Sequence, residues 1–187
     1  MNFRESESYL LSLGNEVAAM KLGLENIRTL LNALGDPQNS YLKVQVAGTN
    51  GKGSVCAFLG SICREAGIST GIFTSPHLIS VTERIQINGR DITEDEFANY
   101  AGKVRKAAER LLAEGKIEYR PTFFEQITAI ALTAFAEAGI RLAILETGLG
   151  GRLDATTAAR AEIAAITQID FDHQEYLGQT LTEIASE

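Results

Sequence analysis

The run Val46-Ala-Gly-Thr-Asn-Gly-Lys-Gly-Ser54 packs three glycines, a lysine and a terminal hydroxyl into one short stretch. Gly48, Gly51 and Gly53 leave the backbone free to turn N–H groups toward phosphate oxygens. Lys52 adds a point charge, and Ser54 a hydroxyl suited to a metal or a phosphate. The common phosphate loop is spaced G-x-x-x-x-G-K-[ST]. With Gly51-Lys52 on its G-K pair, Val46 takes the first glycine slot and Gly53 the hydroxyl slot. Glycine and hydroxyl recur, displaced, at 48 and 54. The expectation is a nucleotide site over Gly48, Thr49, Asn50, Gly51, Lys52, Gly53 and Ser54; a structural glycine turn is the alternative.

Three further groups have types suited to the same chemistry. Glu146 ends an apolar run, Leu142-Ala-Ile-Leu-Glu146, and a carboxylate there is costly to bury without a partner. Beside a nucleotide that partner would be Mg²⁺, held directly or through water; a surface or salt-bridged glutamate is the alternative. Asp170-Phe-Asp-His173 follows another apolar run. Its histidine could be a ligand or a hydrogen-bonded structural group, and its aspartates could simply turn the chain. Ser75-Pro76-His77 offers a hydroxyl on a rigid turn, or an ordinary turn, and gives His77 no role. Thr122-Phe-Phe-Glu125 is explained as a helix cap with apolar packing, although Phe123 and Phe124 could also stack on a flat substrate.

Positioning these groups requires a repeating scaffold. Short apolar strands are expected over 41–47, 70–74, 142–147 and 163–169, and a hairpin over 83–92 around Asn88-Gly89. Helices are expected over about 53–66, from 93 to about 113 and from 122 to 138, the last two opened by capping boxes at Thr93/Glu96 and Thr122/Glu125. An earlier helix carries Leu24, Ile27, Leu31 and Leu34 on one face and stops at Gly35-Asp36-Pro37. Strands alternating with helices imply an α/β fold of the P-loop type, a mainly parallel sheet with helices on both faces. Such sheets bind ligands at the carboxyl ends of their strands, where 48–54, 75–77, 146–154 and 170–174 all fall. Thr180 and Glu183 open one more helix of about 10 Å, with nothing beyond for it to pack on. That suggests an incomplete protein.

Bulk properties narrow the classes. The chain has 187 residues, 45% hydrophobic and 22% charged, with a net charge of −7 and no basic block. One domain over 1–187 is expected, and electrostatic nucleic-acid binding is disfavoured. The longest apolar stretch, 127–136, is well short of the roughly 20 residues of a membrane span. Cys56 and Cys63 fall seven residues apart in one expected helix, about 10 Å along its axis, too far for a disulfide. Two core thiols fit a reducing, cytoplasmic setting.

GTNGKGS, TSPHL with ERIQING, TFFE, ETGLGGRLD and DFDHQEYLG, in that order, resemble the folylpolyglutamate synthase / dihydrofolate synthase family of the Mur-ligase group, from about Leu22 to Glu187. The resemblance implies a Mur-ligase central-like ATPase domain. Lys52 would contact the phosphates, Mg²⁺ would lie on Ser54, Ser75, Glu146 and His173, and Lys52, Glu146 and His173 would be catalytic. The pterin-bearing substrate would lie near Thr122, Phe123, Phe124, Glu125, Leu153, Asp154 and Ala155. The reaction implied is ATP-dependent amide formation between L-glutamate and folate or dihydropteroate, through an acyl phosphate, by a cytoplasmic monomer with no nucleic-acid or membrane partner. The family continues into a Rossmann-like glutamate-binding domain and carries a carbamylated lysine, which by alignment would follow Glu187; neither lies within these residues. A Mur-like ligase for a peptidoglycan precursor and a non-catalytic ATP-binding module are the alternatives.

Overall fold

The computed structural model describes residues 1–14 and 23–187. Leu22, the start of the resemblance, lies outside the described residues. Helices α1 (Phe3–Leu11) and α2 (Glu25–Ala33) precede β1 (Leu42–Ala47), α3 (Lys52–Glu65) and β2 (Thr70–Phe73). Then come β3 (Ile85–Ile87), β4 (Arg90–Asp91), α4 (Glu94–Ala113), α5 (Phe123–Glu137), β5 (Leu142–Glu146) and β6 (Ile163–Ile166). Two short helices, α6 (Gln174–Leu177) and α7 (Leu181–Ser186), complete the described elements.

One sheet orders the strands β4-β3-β2-β5-β1-β6. β2, β5, β1 and β6 are parallel, and β3 and β4 are antiparallel additions at the β2 side. The chain leaves β1 through α3 for β2, and later steps from β5 past β1 to β6. The strand order therefore reverses at β1, and the carboxyl ends on either side of it frame a crevice.

Alternation along β1 decides which face gets which partner. Val44 and Val46 point to α3 and pack with Cys56, Ile72 and Ile144. The opposite face carries the larger core, where α5 lies under the sheet with α4, α1 and α2 around it. Nearly every residue of α5 from Phe123 to Phe135 is buried, as expected of a helix apolar on all sides. Tyr41 ties the two layers together by donating its hydroxyl to Leu132 O at 2.9 Å.

Several expectations change in detail. The last parallel strand stops at Ile166 rather than 169, because Gln168 turns back to bridge Asn50. β2 ends one residue early, at Phe73. Residues 83 and 84 belong to a 3-10 turn, Val81–Arg84, so the hairpin begins at Ile85; its Asn88 and Gly89 take the positive φ values, 52° and 78°, of a tight two-residue turn. The polar start of the chain, assigned no element from its sequence, forms α1, whose capping box joins Asn2 and Glu5. The terminal helix is not without a packing surface: Ile184 is 4% exposed, and Glu187 O accepts from Gly151 N at 2.8 Å and Arg152 N at 2.5 Å. Cys56 and Cys63 are free buried thiols.

Candidate functional site

Why the glycine loop has its displaced spacing follows from its neighbours. Gly48 has φ 129°, a conformation that L side chains rarely adopt, and a Cβ there would collide with Thr167 Oγ1. Thr167 lies so close because its N–H and hydroxyl both donate to Ala47 O, at 2.9 and 3.1 Å. Beyond Gly48, Thr49 N and Asn50 N both donate to Gln168 O, at 2.9 and 3.3 Å. These two amides face protein, so the loop's remaining donors are the unsatisfied N–H groups of the first turn of α3. Thr49 Oγ1 donates to Asp170 O and accepts from Asp170 N, at 3.1 and 2.9 Å. The 167–170 segment is thereby fixed on the loop.

Lys52 opens α3 and folds back over its own loop. Its ammonium donates to Gly48 O at 2.7 Å and Thr49 O at 3.3 Å. An ammonium has three donors, so one direction remains for an anion at the helix N-terminus, where the helix dipole also favours negative charge. Ser54 is exposed in the same turn.

Glu146 ends β5, beside β1 in register with Val46. It is 5% exposed. Its Oε2 accepts from Ser75 N at 3.1 Å, and the Gly53 amide lies close enough to pull on the same carboxylate. Burial pushes its carboxyl above the ordinary range, against the pull of Ser75 N, Lys52 and Gly53 N. One backbone donor leaves a carboxylate with lone pairs to spare. Next to it the buried hydroxyl of Thr147 has no hydrogen-bond partner among the described residues. An acidic, incompletely satisfied donor set of this kind fits a hard divalent cation.

The other expected ligands are placed less tightly. Ser75 is half-buried with its backbone on Glu146. His173 is exposed, has φ 47°, and lies 3.7 Å from Asp172. It lines the cavity that also contains Gly48, Thr49 and Lys52. Among the described residues no group of three or more His, Cys, Asp or Glu is placed to hold a metal. Oxygen ligands from serine would therefore have to complete any site on Glu146. Cys56 lies close by, but burial and then Glu146 push its thiol up to about 12, which makes it unreactive.

A second cavity adjoins the first, sharing the 149–152 loop. Thr122, Phe124, Glu125, Leu153, Asp154 and Ala155 all line it. Phe123 does not: it is 4% exposed, turned into the core with the Arg84 guanidinium over its ring. Phe124 instead packs on Phe73 at 5.8 Å between centroids and fills the space where a side chain at Gly148 would go. Asp154 turns its carboxylate inward. One oxygen accepts from Gly148 N and Leu149 N at 2.9 and 3.1 Å; the other takes Thr156 N at 2.9 Å and the Thr156 hydroxyl. It holds the glycine loop in shape. Sequence reasoning missed Tyr176, Leu177, Arg152 and Gly23 in this lining, since no spacing rule links them to Thr122. It also missed Thr167 and Gln168, for which the glycine at 48 was the available signal.

Comparison with known proteins follows the same lines. The sequence profile of the Mur ligase middle domain matches residues 46–187. The chain is 39% identical over 185 residues to the probable bifunctional folylpolyglutamate synthase/dihydropteroate synthase of Haloferax volcanii, covering 99% of this chain and 22% of that protein. Against the dihydrofolate synthase/folylpolyglutamate synthase of Bacillus subtilis it is 42% identical over 170 residues, covering 90% of this chain and 39% of that one. Among solved structures, the apo form of L. casei FPGS superposes with TM-score 0.91 at 34% identity, over 98% of this chain and 44% of that one. E. coli FolC in complex with DHPP and ADP gives TM-score 0.87 at 35% identity, over 98% and 42%. The chain thus spans less than half the length of each of these relatives. It belongs to the Mur ligase middle domain family, among relatives that are folylpolyglutamate and dihydrofolate synthases.

Proposed function

We propose that this chain is the ATP-binding part of a ligase that joins L-glutamate to folate, to dihydropteroate, or to both. The observation that carries the reading is the convergence at one sheet edge. The 48–54 loop and the 167–173 segment follow β1 and β6, and Glu146 ends β5 beside β1, next to the cavity of Thr122, Phe124 and Leu153. Relatives solved with ADP, or with Mn, AMPPNP and L-glutamate, support nucleotide use.

Carboxylate resists attack because it is anionic and oxide is a poor leaving group. Phosphorylation by ATP would give an acyl phosphate, and the amine of glutamate would then displace phosphate to form the amide. Lys52 would use its remaining donor on a phosphate oxygen and stabilise charge on the transferring group. Mg²⁺, held by Glu146 with the Ser54 and Ser75 hydroxyls and His173, would neutralise phosphate charge. Phe124 and the 153–155 turn would hold the flat end of the substrate, while Asp154 keeps the intervening loop rigid. The amine-binding site and any second domain would lie outside these residues.

The test is phosphate release by the full-length protein with ATP, Mg²⁺ and L-glutamate, with dihydropteroate or tetrahydrofolate as acceptor. Turnover that disappears in Lys52→Ala is expected. Turnover with a nucleotide-linked muramoyl acceptor and none with a pteroate would overturn the reading.

A further inference from the structure

Two residues of the sequence motifs take no part in that chemistry: His77 in Ser75-Pro76-His77, and Arg84 at the end of the following turn. The structure joins them. Arg84 is 2% exposed, and its Nε–H donates to His77 Nδ1 at 2.8 Å. Its guanidinium carbon lies 5.2 Å from the centre of the Phe123 ring, in the first turn of α5. One buried cation therefore touches both the loop that follows β2 and the helix end that lines the second cavity.

That loop needs such ties. Leu78 and Ile79 at its tip are both 91% exposed, so no apolar packing fixes it there. Polar contacts hold it instead. Glu83 gathers Leu78 N, Ile79 N and Ser80 N at 2.8, 3.0 and 2.7 Å. Thr74 N donates to Arg84 O at 3.0 Å, and Ser75 N donates to Glu146. Segments with few buried apolar contacts open easily, and a ligand on one is only as well placed as its ties. A lysine could keep the charge of Arg84 but would lose both the planar Nε–H and the stacking on Phe123.

We propose that Arg84 is a positioning residue: through His77 and Phe123 it holds the 75–80 loop in register with α5 and so keeps Ser75 on Glu146. The metal-binding consequence rests on the function proposed above; the loop restraint does not.

The experiment uses the full-length protein and two readouts, amide hydrogen exchange without metal and Mn²⁺ binding followed by electron paramagnetic resonance. In Arg84→Lys, exchange at Ser75 and at residues 78–80 should quicken about tenfold, the worth of one charge-assisted hydrogen bond. Exchange in α4 should not change. Mn²⁺ half-saturation should rise by a similar factor. His77→Ala should reproduce both shifts, and the double variant should exceed neither single one. Wild-type exchange in 75–80 would overturn the proposal, and so would acceleration spread equally over α4 and α5, or additive effects of the two variants. If the wild type binds no Mn²⁺, the metal reading fails while the exchange arm still decides whether Arg84 restrains the loop.

Discussion

Asp154→Asn tests which of two large opposing effects wins in the glycine loop. The side chain is buried, and its two oxygens accept from Gly148 N, Leu149 N, Thr156 N and the Thr156 hydroxyl. Asparagine has the same shape but only one accepting end. Its NH₂ fits best toward Thr156, whose hydroxyl can turn to accept, but there it still faces the Thr156 N–H, donor against donor. A protonated carboxyl differs, because its hydroxyl oxygen keeps a lone pair. One hydrogen bond to a charged group is lost, roughly 1.5–3 kcal/mol, and the Thr156 N–H is left buried without an acceptor, roughly 1–3 kcal/mol more. Against this, the amide removes the cost of burying a charge, a cost visible in the net upward push on the Asp154 carboxyl. A net loss of about 3 kcal/mol is expected, which for a chain of this length lowers the melting temperature by roughly 6–12 °C. Circular dichroism melts of the two proteins measure it. A folded-state carboxyl raised above its unfolded value stabilises most in acid and loses that contribution as pH rises through the folded value. The gap between wild type and Asp154→Asn should therefore be widest below the ordinary aspartate value of 3.8 and narrow as pH rises through the raised one. A variant that melts at or above the wild-type temperature at neutral pH would refute the reasoning: burial cost, not loop hydrogen bonding, would dominate.

Gly48→Ala should weaken nucleotide binding by at least about tenfold in calorimetry, since φ 129° is strained for alanine and its Cβ meets Thr167 Oγ1. Adding Thr167→Ala should recover part of the loss, because it removes the collision but not the backbone strain. Tyr41→Phe deletes the hydrogen bond to Leu132 O and leaves that carbonyl buried; a loss of about 1 kcal/mol, or roughly 2–4 °C in melting temperature, is expected. Glu83 is held below the ordinary carboxylate range, chiefly by the Leu78 and Ser80 amides. Its support for the 78–80 loop should be fully present above the ordinary glutamate value of 4.5 and fade as pH falls through the lowered one. Amide chemical shifts of Leu78, Ile79 and Ser80 that do not move across that window would count against it.

Much of the framework is legible in the sequence because local signals agree with tertiary needs. Thr93/Glu96 and Thr122/Glu125 are capping boxes in the structure as in the sequence, and Asn88-Gly89 turns the hairpin. The apolar runs at 42–47 and 142–146 become neighbouring parallel strands. What escaped reading depends on contacts distant in sequence. Nothing near Ile166 announces that Gln168 will turn back to Asn50. Phe123 and Phe124 look alike in sequence, yet one faces the core and the other a cavity, because the helix turns about 100° per residue. The terminal helix has no support legible in the sequence because the amides that hold Glu187 O belong to Gly151 and to Arg152, the latter 35 residues earlier in the chain. Asp154 reads as a contact residue from its motif, whereas four local donors claim its oxygens.

The departure of 46–54 from the common phosphate-loop spacing has a local cause at each end. Glycine sits at 48 because the strand beside β1, β6, leads into Thr167, which crosses the loop so closely that no Cβ fits. At 53, where the common loop has its hydroxyl, the backbone lies against Glu146: a Cβ there would stand 3.7 Å from Oε1. A hydroxyl at 53 would extend from a Cβ already in van der Waals contact with that carboxylate. Moving the hydroxyl to Ser54 frees that space and keeps it in the first turn of α3. Each displaced residue thus answers to a different strand, β6 for Gly48 and β5 for Gly53. The loop's spacing is therefore set by the residues around it, and a carboxylate at the end of β5 is the feature that a loop of this spacing should accompany.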